Sequence, residues 1–249
     1  MLYLIPVPIS ENDNPELLYP LLEKTVNSLD EFIVEDLKTA RRSLRKIGFK
    51  GDFDKTVFHV LNEHTDKKNI ESYLASTENK KNIGLMSEAG MPCIADPGSE
   101  IVKLAHKKNI RVVPLYGQSS IFLALAASGL NGQNFCFHGY LPKEQKERKK
   151  KLKEICPPPS PPIRRGFGSV THIFIETPYR NNHLLEDILS TCSSDTLLCI
   201  AVNVTGTSEK IITKSIAEWK SSFSGVPYEG RRGELPNLDK QPTVFLLGR

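Results

Sequence analysis

Short apolar runs alternate with stretches of helical spacing along this chain, and no other feature restricts its fold as much. The opening residues MLYLIPVPI read as a first buried strand, and Glu16 to Leu29 has helical spacing. Phe32 to Val34 is a short strand, followed by a basic helix from Thr39 to Ile47 that Gly48 closes. A strand near Val57 to Leu61, a helix near Lys68 to Leu74, a strand at Ile83 to Met86, a helix at Glu100 to Lys108 and a strand at Arg111 to Val113 continue the series. The pattern restarts after Ser119. There IFLALAASGL reads as a buried helix, followed by strands at Phe135 to His138 and His172 to Ile175 and a helix at Asn182 to Leu189. Strands at Leu197 to Val202 and Thr243 to Leu247 complete the chain. Strand and helix in alternation mean βαβ units, so the fold class is α/β with mostly parallel sheets. The restart divides the chain into an N-terminal α/β domain, 1–116, and a C-terminal α/β domain, 117–249.

One stretch breaks the alternation, the basic, Pro-rich segment 143–168. It begins as a charged helix containing Lys149, Lys150 and Lys151, then meets five prolines between Pro157 and Pro162, which remove donors and stop a helix. The lysines are either a solvated helix face or phosphate contacts. Arg164, Arg165 and the group Arg41, Arg42, Arg45 and Lys46 would join them only if the fold brought them to one face.

Composition narrows the class. With 39% hydrophobic and 25% charged residues among 249, a soluble globular protein is expected. No apolar run approaches eighteen residues, so no membrane span is expected, and the N-terminus lacks the basic leader and cleavage site of a signal peptide. Five cysteines without a CxxC pair fit reduced thiols in a cytoplasm better than a disulfide framework or zinc site. His106, His138 and His172 show no metal spacing, so no metal is expected. The net charge of +4 permits an anionic partner without requiring one.

The strand Ile83 to Met86 opens into SEAGMPCIADPG, residues 87 to 98. A loop in this position lies where an open α/β sheet places its ligand, outside the carboxyl ends of its strands. Gly90 and Gly98 are expected to let backbone approach that ligand without a Cβ.

SEAGMPCIADPG, PLYGQSSIFLALAASGL at 114–130, HGYLPK at 138–143 and ETPYRN at 176–181 resemble, in that order, the marker segments of the ribosomal RNA small-subunit methyltransferase I family. That family belongs to the tetrapyrrole methylase-like class, and the likeness extends through Val34-Glu35-Asp36 and Asn62-Glu63-His64. The resemblance implies a two-domain, S-adenosylmethionine-dependent methyltransferase of RNA ribose 2′-hydroxyls, a homodimer, with the cofactor in the cleft between the domains. It implies a cofactor site built from Glu88, Ala89, Gly90 and Met91, from Ser119 and Ser120 at the start of the next helix, and from Thr177 and Pro178 at a strand end. Pro8 in VPISE, Pro242 before the last strand, and Gly206 beside Thr207 complete the implied set. The two serines either bind the cofactor's carboxylate or merely cap the helix.

The chain also departs from the family's pattern. Ser10 stands where the family has glycine, and Val202, Asn203 and Gly206 replace an arginine, a glutamate and a lysine. Three readings therefore stay open: RNA methylation, methylation of a small molecule such as a tetrapyrrole, and cofactor or RNA binding without turnover. A ribose hydroxyl needs help to lose its proton, and Glu35, Asp36, Glu63, His64 and Glu176 are the candidate bases.

Overall fold

The computed structural model describes residues 1–10, 20–62, 64–156, 170–223 and 237–249. Glu63, the prolines at 157–162, Arg164, Arg165 and the start of the helix expected from Glu16 lie outside the described residues. The chain forms two compact units, Met1–Ser119 and Ser120–Arg249.

The first unit is a parallel sheet with helices on both faces. Its strands are β1 (Leu2–Ile5), β2 (Glu31–Val34), β3 (Val57–Val60), β4 (Ile83–Met86) and β5 (Val112–Pro114), in the order β3-β2-β4-β1-β5. Its helices are α1 (Pro20–Val26), α2 (Leu37–Ile47), α3 (Lys67–Ile70) and α4 (Ser99–Lys107). The helix expected at Lys68 to Leu74 is only one α-helical turn that continues as 3₁₀ from Glu71 to Asn79. Side chains alternate across the strands, and both faces are buried, as a parallel sheet requires. Ile5, Phe32 and Met86 pack with Leu22, Val26, Ala40 and Leu44 of α1 and α2. Leu2, Ile33, Ile83 and Leu85 pack on the other face with Leu74, Ile101 and Ala105.

This strand order positions the site. β1 and β4 are neighbours in the sheet, paired from Leu2↔Ile83 to Ile5↔Met86. The helix that follows β1 in the chain packs on one face, and the helix that follows β4 packs on the other. Two adjacent strands whose connections leave toward opposite faces open a crevice at their carboxyl ends.

The second unit holds β6 (Phe135–Tyr140), β7 (Thr171–Ile175), β8 (Leu197–Val202), β9 (Lys210–Ser215) and β10 (Thr243–Gly248), ordered β6-β7-β10-β8-β9. Its helices are α5 (Ser120–Ser128), α6 (Gln145–Ile155), α7 (Asn181–Thr191) and α8 (Ile216–Phe223). The α/β class holds, but this sheet is mixed: only β6 and β7 run parallel, and the other three pairings are antiparallel. The cause is β9, which the sequence reading missed. Lys210 to Ser215 carries polar residues on both sides of its two adjacent isoleucines, and it returns directly beside β8 as a hairpin.

The cysteine expectation is corrected in part. Cys156 and Cys192, the residues that end α6 and α7, form a disulfide with Cα atoms 5.7 Å apart, because the two helices pack side by side. Cys93, Cys136 and Cys199 are free thiols.

Candidate functional site

In the first unit the crevice is framed by the segments that follow β1, β4 and β5. Val7 and Gly90 tie the first two together: Val7 N donates to Gly90 O at 2.9 Å, and Gly90 N donates to Val7 O at 3.1 Å. Both backbone polar groups of Gly90 are therefore used inside the protein. Its φ of +70° is the reason for glycine here, since side-chain-bearing residues avoid that region. The segment after β5 closes on the same place. A Cβ on Gly90 would lie 3.4 Å from Gln118 O, and Ile9 N donates to Gln118 Oε1 at 3.4 Å. Pro8 and Met91 are half-buried beside this bridge, while Glu88 and Ala89 are exposed in front of it. Ser119 is buried, and Ser120 opens α5.

Asp96, which sequence reasoning passed over, builds the rest of the loop. Its Oδ2 accepts from Cys93 N and its Oδ1 from Gly98 N, both at 2.7 Å, while Cys93 and Ala95 hold positive φ. Gly98 is explained by this packing: a Cβ there would come within 2.8 Å of Asp96 Oδ1 and 3.1 Å of Leu85. Its lack of a side chain serves the loop's own fold. Burial and the Asp96 carboxylate push the Cys93 thiol up to about 12, so it stays protonated.

Glu35 stands at the end of β2, and its Oε2 accepts from Glu88 N at 3.2 Å. It thus joins the candidate base to the loop after β4. Burial, then the charge on Asp96, raises the Glu35 carboxyl from its ordinary 4.5 to about 7, against the pull of the Glu88 N–H. Its neighbour Asp36 has a different task. Asp36 Oδ1 caps α2 by accepting from Thr39 N at 2.7 Å, and that bond holds its carboxyl below the usual range. His64 is exposed on the turn after β3.

In the second unit Thr177, Pro178, Gly206 and Pro242 gather around three polar side chains that sequence reasoning did not single out as site residues. Asn181, fully buried, donates to Gln241 O at 2.7 Å and Leu238 O at 3.3 Å, and Lys240 N donates to Pro178 O. Asn203, at φ +48°, receives no strain that asparagine does not tolerate; its backbone N donates to Pro242 O, and its Nδ2 donates to Gln241 Oε1 at 2.9 Å. Gly206 N closes the turn onto Asn203 O. Glu209 accepts from Thr205 N at 2.7 Å and so belongs to the loop's own bonding. Val202 lies in the sheet core at 2% exposure, so an arginine there would displace packed core side chains.

Glu176 is held by an ion pair. Its Oε1 meets Arg180 at 2.5 Å and accepts from Thr177 N, which leaves no free role for that oxygen. Glu176 Oε2 and Asn181 Oδ1 are buried without a partner among the described residues. His138 Nε2 and His172 Nδ1 lie 2.9 Å apart and bond to each other. Among the described residues no three metal-ligating side chains come together.

The fold places the site, and the comparisons with known proteins say what class of protein this is: a methyltransferase. The chain belongs to the tetrapyrrole (corrin/porphyrin) methylase family, whose pattern matches residues 1–220. Within that family it is similar to ribosomal RNA small subunit methyltransferase I of Escherichia coli O157:H7, 31% identical over 87% of this chain and 70% of that one. The corresponding protein of Pasteurella multocida is 27% identical over 99% of this chain and 78% of its own. In fold the chain is similar to the uroporphyrin-III C-methyltransferase of Thermus thermophilus complexed with S-adenosyl homocysteine. The TM-score there is 0.56 at 13% identity, over 100% of this chain and 97% of that one. A cobalt precorrin-4 methyltransferase of cobalamin biosynthesis gives 0.56 at 14% identity, over 99% and 93%.

Proposed function

We propose that this protein methylates a ribose 2′-hydroxyl in the RNA of the small ribosomal subunit, with Glu35 as proton acceptor. The likeness to small-subunit methyltransferases over most of both chains supports the substrate. Glu35 supports the chemistry. It stands at the crevice rim, half-buried, with Oε2 engaged by Glu88 and Oε1 left to meet a hydroxyl.

The cofactor-binding residues we assign are, in the first unit, Pro8, Glu88, Ala89, Gly90, Met91 and Ser119 and, in the second, Ser120, Thr177, Pro178, Gly206 and Pro242. When bound, S-adenosylmethionine supplies an electrophilic methyl group on a sulfonium. Gly90, locked to Val7, keeps the floor of the crevice fixed, and Asp96 holds the loop that carries Glu88. Glu35 takes the hydroxyl proton as the oxygen–methyl bond forms, which is general base catalysis by a group whose pKa lies near working pH. Rigid placement is worth more here than any single charge, because methyl transfer is an in-line displacement.

We assign a homodimer and a cytoplasmic site of action to the same reading. Phe122 and Leu123 on α5 and Phe135 on β6 are exposed apolar side chains, with Phe122 and Phe135 in edge contact, and a second copy is the partner that would cover them. Light scattering in solution measures this directly, and a monomer would count against it.

Incubation with methyl-labelled cofactor and unmethylated small ribosomal subunits, free ribosomal RNA or tetrapyrroles tests the substrate. Label in the RNA of the small subunit is expected. Label only in a tetrapyrrole, or in nothing despite tight cofactor binding, would replace the RNA reading by one of its two alternatives.

A further inference from the structure

We propose that the outer face of α2, formed by Lys38, Arg41, Arg42, Arg45 and Lys46, is the surface that grips the sugar-phosphate backbone of the RNA. This rests on the RNA reading above and adds to it the place where the polymer is held.

The helix is divided cleanly. Ala40, Ser43, Leu44 and Ile47 are buried against the sheet, and the five cations fall within an arc of about 140° on the opposite side, at 3.6 residues per turn. The helix contains no acidic residue. A basic face of this kind attracts a polyanion.

The arginines are also preordered. Arg45 lies 4.1 Å above the Phe53 ring and 5.8 Å from that of Phe49, and Arg41 lies 5.4 Å from Phe53 and 5.5 Å from Phe58. The rings form a connected set. Phe49 stacks on Phe53 at 5.5 Å, and Phe49 and Phe58 both contact Phe32, which is fully buried. A guanidinium stacked by its flat face keeps its in-plane N–H donors for a phosphate, and the ordering cost of the side chain is already met. Arg41 Nε is buried and Arg45 Nη1 donates to Phe49 O at 2.6 Å, so the remaining guanidinium nitrogens are the ones that would meet a phosphate.

Position completes the case. α2 starts immediately after Glu35 and Asp36, so its first turn lies at the crevice and its 11 residues extend about 16 Å away from it. A ribose seated at Glu35 would have its flanking backbone within reach of Lys38 first and of the arginines beyond. A membrane surface is the less fitting partner, because the apolar side of α2 is consumed by the core and none is left to enter lipid.

The test is fluorescence anisotropy of labelled small-subunit RNA against the full-length protein at increasing salt. Lys38, Arg42 and Lys46 are exposed, so K38Q/R42Q/K46Q is expected to fold as the wild type does, with circular dichroism as the check. The slope of log affinity against log salt should become shallower by about 2 if three phosphate contacts on single-stranded RNA are lost. R41K/R45K keeps the charge but not the planar fork, and should weaken binding severalfold with little change in slope. An unchanged slope and affinity in both variants would overturn the surface while leaving the RNA reading intact. Failure of the wild type to bind or methylate RNA would overturn both. Binding of phosphatidylserine vesicles that the triple variant loses, with RNA binding unaffected, would overturn it in favour of a membrane.

Discussion

Two helices of this protein carry basic runs that look alike in sequence, and the fold gives them opposite fates. In α6, Arg148 is 5% exposed and its guanidinium is bound by Asp187, with Nε and Nη2 at 2.8 and 2.7 Å, while a third nitrogen donates to Lys143 O. Lys149 reaches the same Asp187 at 3.3 Å, and Lys151 pairs with Glu154. Burial works against the Asp187 charge, but hydrogen bonds from Gln145 and Arg148 outweigh it and hold the carboxyl below its usual range. In α2 Arg41 and Arg45 rest on phenylalanines instead. A cation answered by a carboxylate is part of the core's bonding, whereas a cation stacked on a ring keeps its charge for something else. The phosphate reading of Lys149 to Lys151 therefore loses ground to a structural one for two of the three residues, and the α2 group gains it.

The sharpest break of this comparison is to put a cation in the core without a carboxylate. Val202→Arg restores the family's residue, but position 202 is the buried last residue of β8, and the residues paired with it, Thr243 and Lys210, carry no negative charge. An unpaired buried charge costs several kcal/mol, so this variant is expected to be insoluble or unfolded, as read by expression and near-ultraviolet dichroism. Asn203→Glu with Gly206→Lys should fold, since both positions are only half-buried, and that pair is the usable test of whether the family's charges matter for methylation.

Next in size is removal of the carboxylate that α6 depends on. Asp187→Ala leaves Arg148 buried and unanswered, at a cost of about 3–5 kcal/mol in urea unfolding. A loss below 1 kcal/mol would mean that α6 and α2 do not differ in the way described.

A smaller effect is expected from the acid that faces the crevice. In Glu35→Gln the methyl-transfer rate should fall by roughly 100-fold, and the rise in rate through pH 7 should disappear. Stability gives an independent readout. Because the folded carboxyl titrates at about 7 and the ordinary one at 4.5, the folded state holds more protons between these values, so wild-type stability declines as pH rises through that window. The Gln variant should lose this decline and be the more stable of the two at pH 8. A retained slope in the variant would assign the titration to another group.

Lys150→Ala should do least. It has the same charge as its neighbours but no acidic partner among the described residues, and the expected change is within about 0.5 kcal/mol in stability, with no change in the salt dependence of RNA binding. A salt slope that falls with this substitution would return α6 to the RNA surface.

Local chemistry made much of this molecule legible. The βαβ alternation, the helix ending at Gly48 with φ +99°, the loop after Ile83–Met86 and the motif resemblance are all consequences of side chains near one another in sequence. So was the doubt over Val202, Asn203 and Gly206, which the structure resolves into a core valine, an asparagine suited to positive φ and a turn glycine.

The partners, by contrast, belong to the tertiary structure alone. Nothing local says that β9 will lie antiparallel to β8, that Cys156 will meet Cys192 across 36 residues, or that Asp187 will answer Arg148. Nor could the sequence say why Gly90 must be glycine; that follows from a bridge to Val7, more than eighty positions away, which fixes its backbone at φ +70°. A run of lysines or arginines has the same composition whether it is spent or available. Only the approach of a carboxylate in one case and of a phenylalanine ring in the other decides which, because Coulomb attraction and stacking act over a few ångströms of space and take no account of distance along the chain.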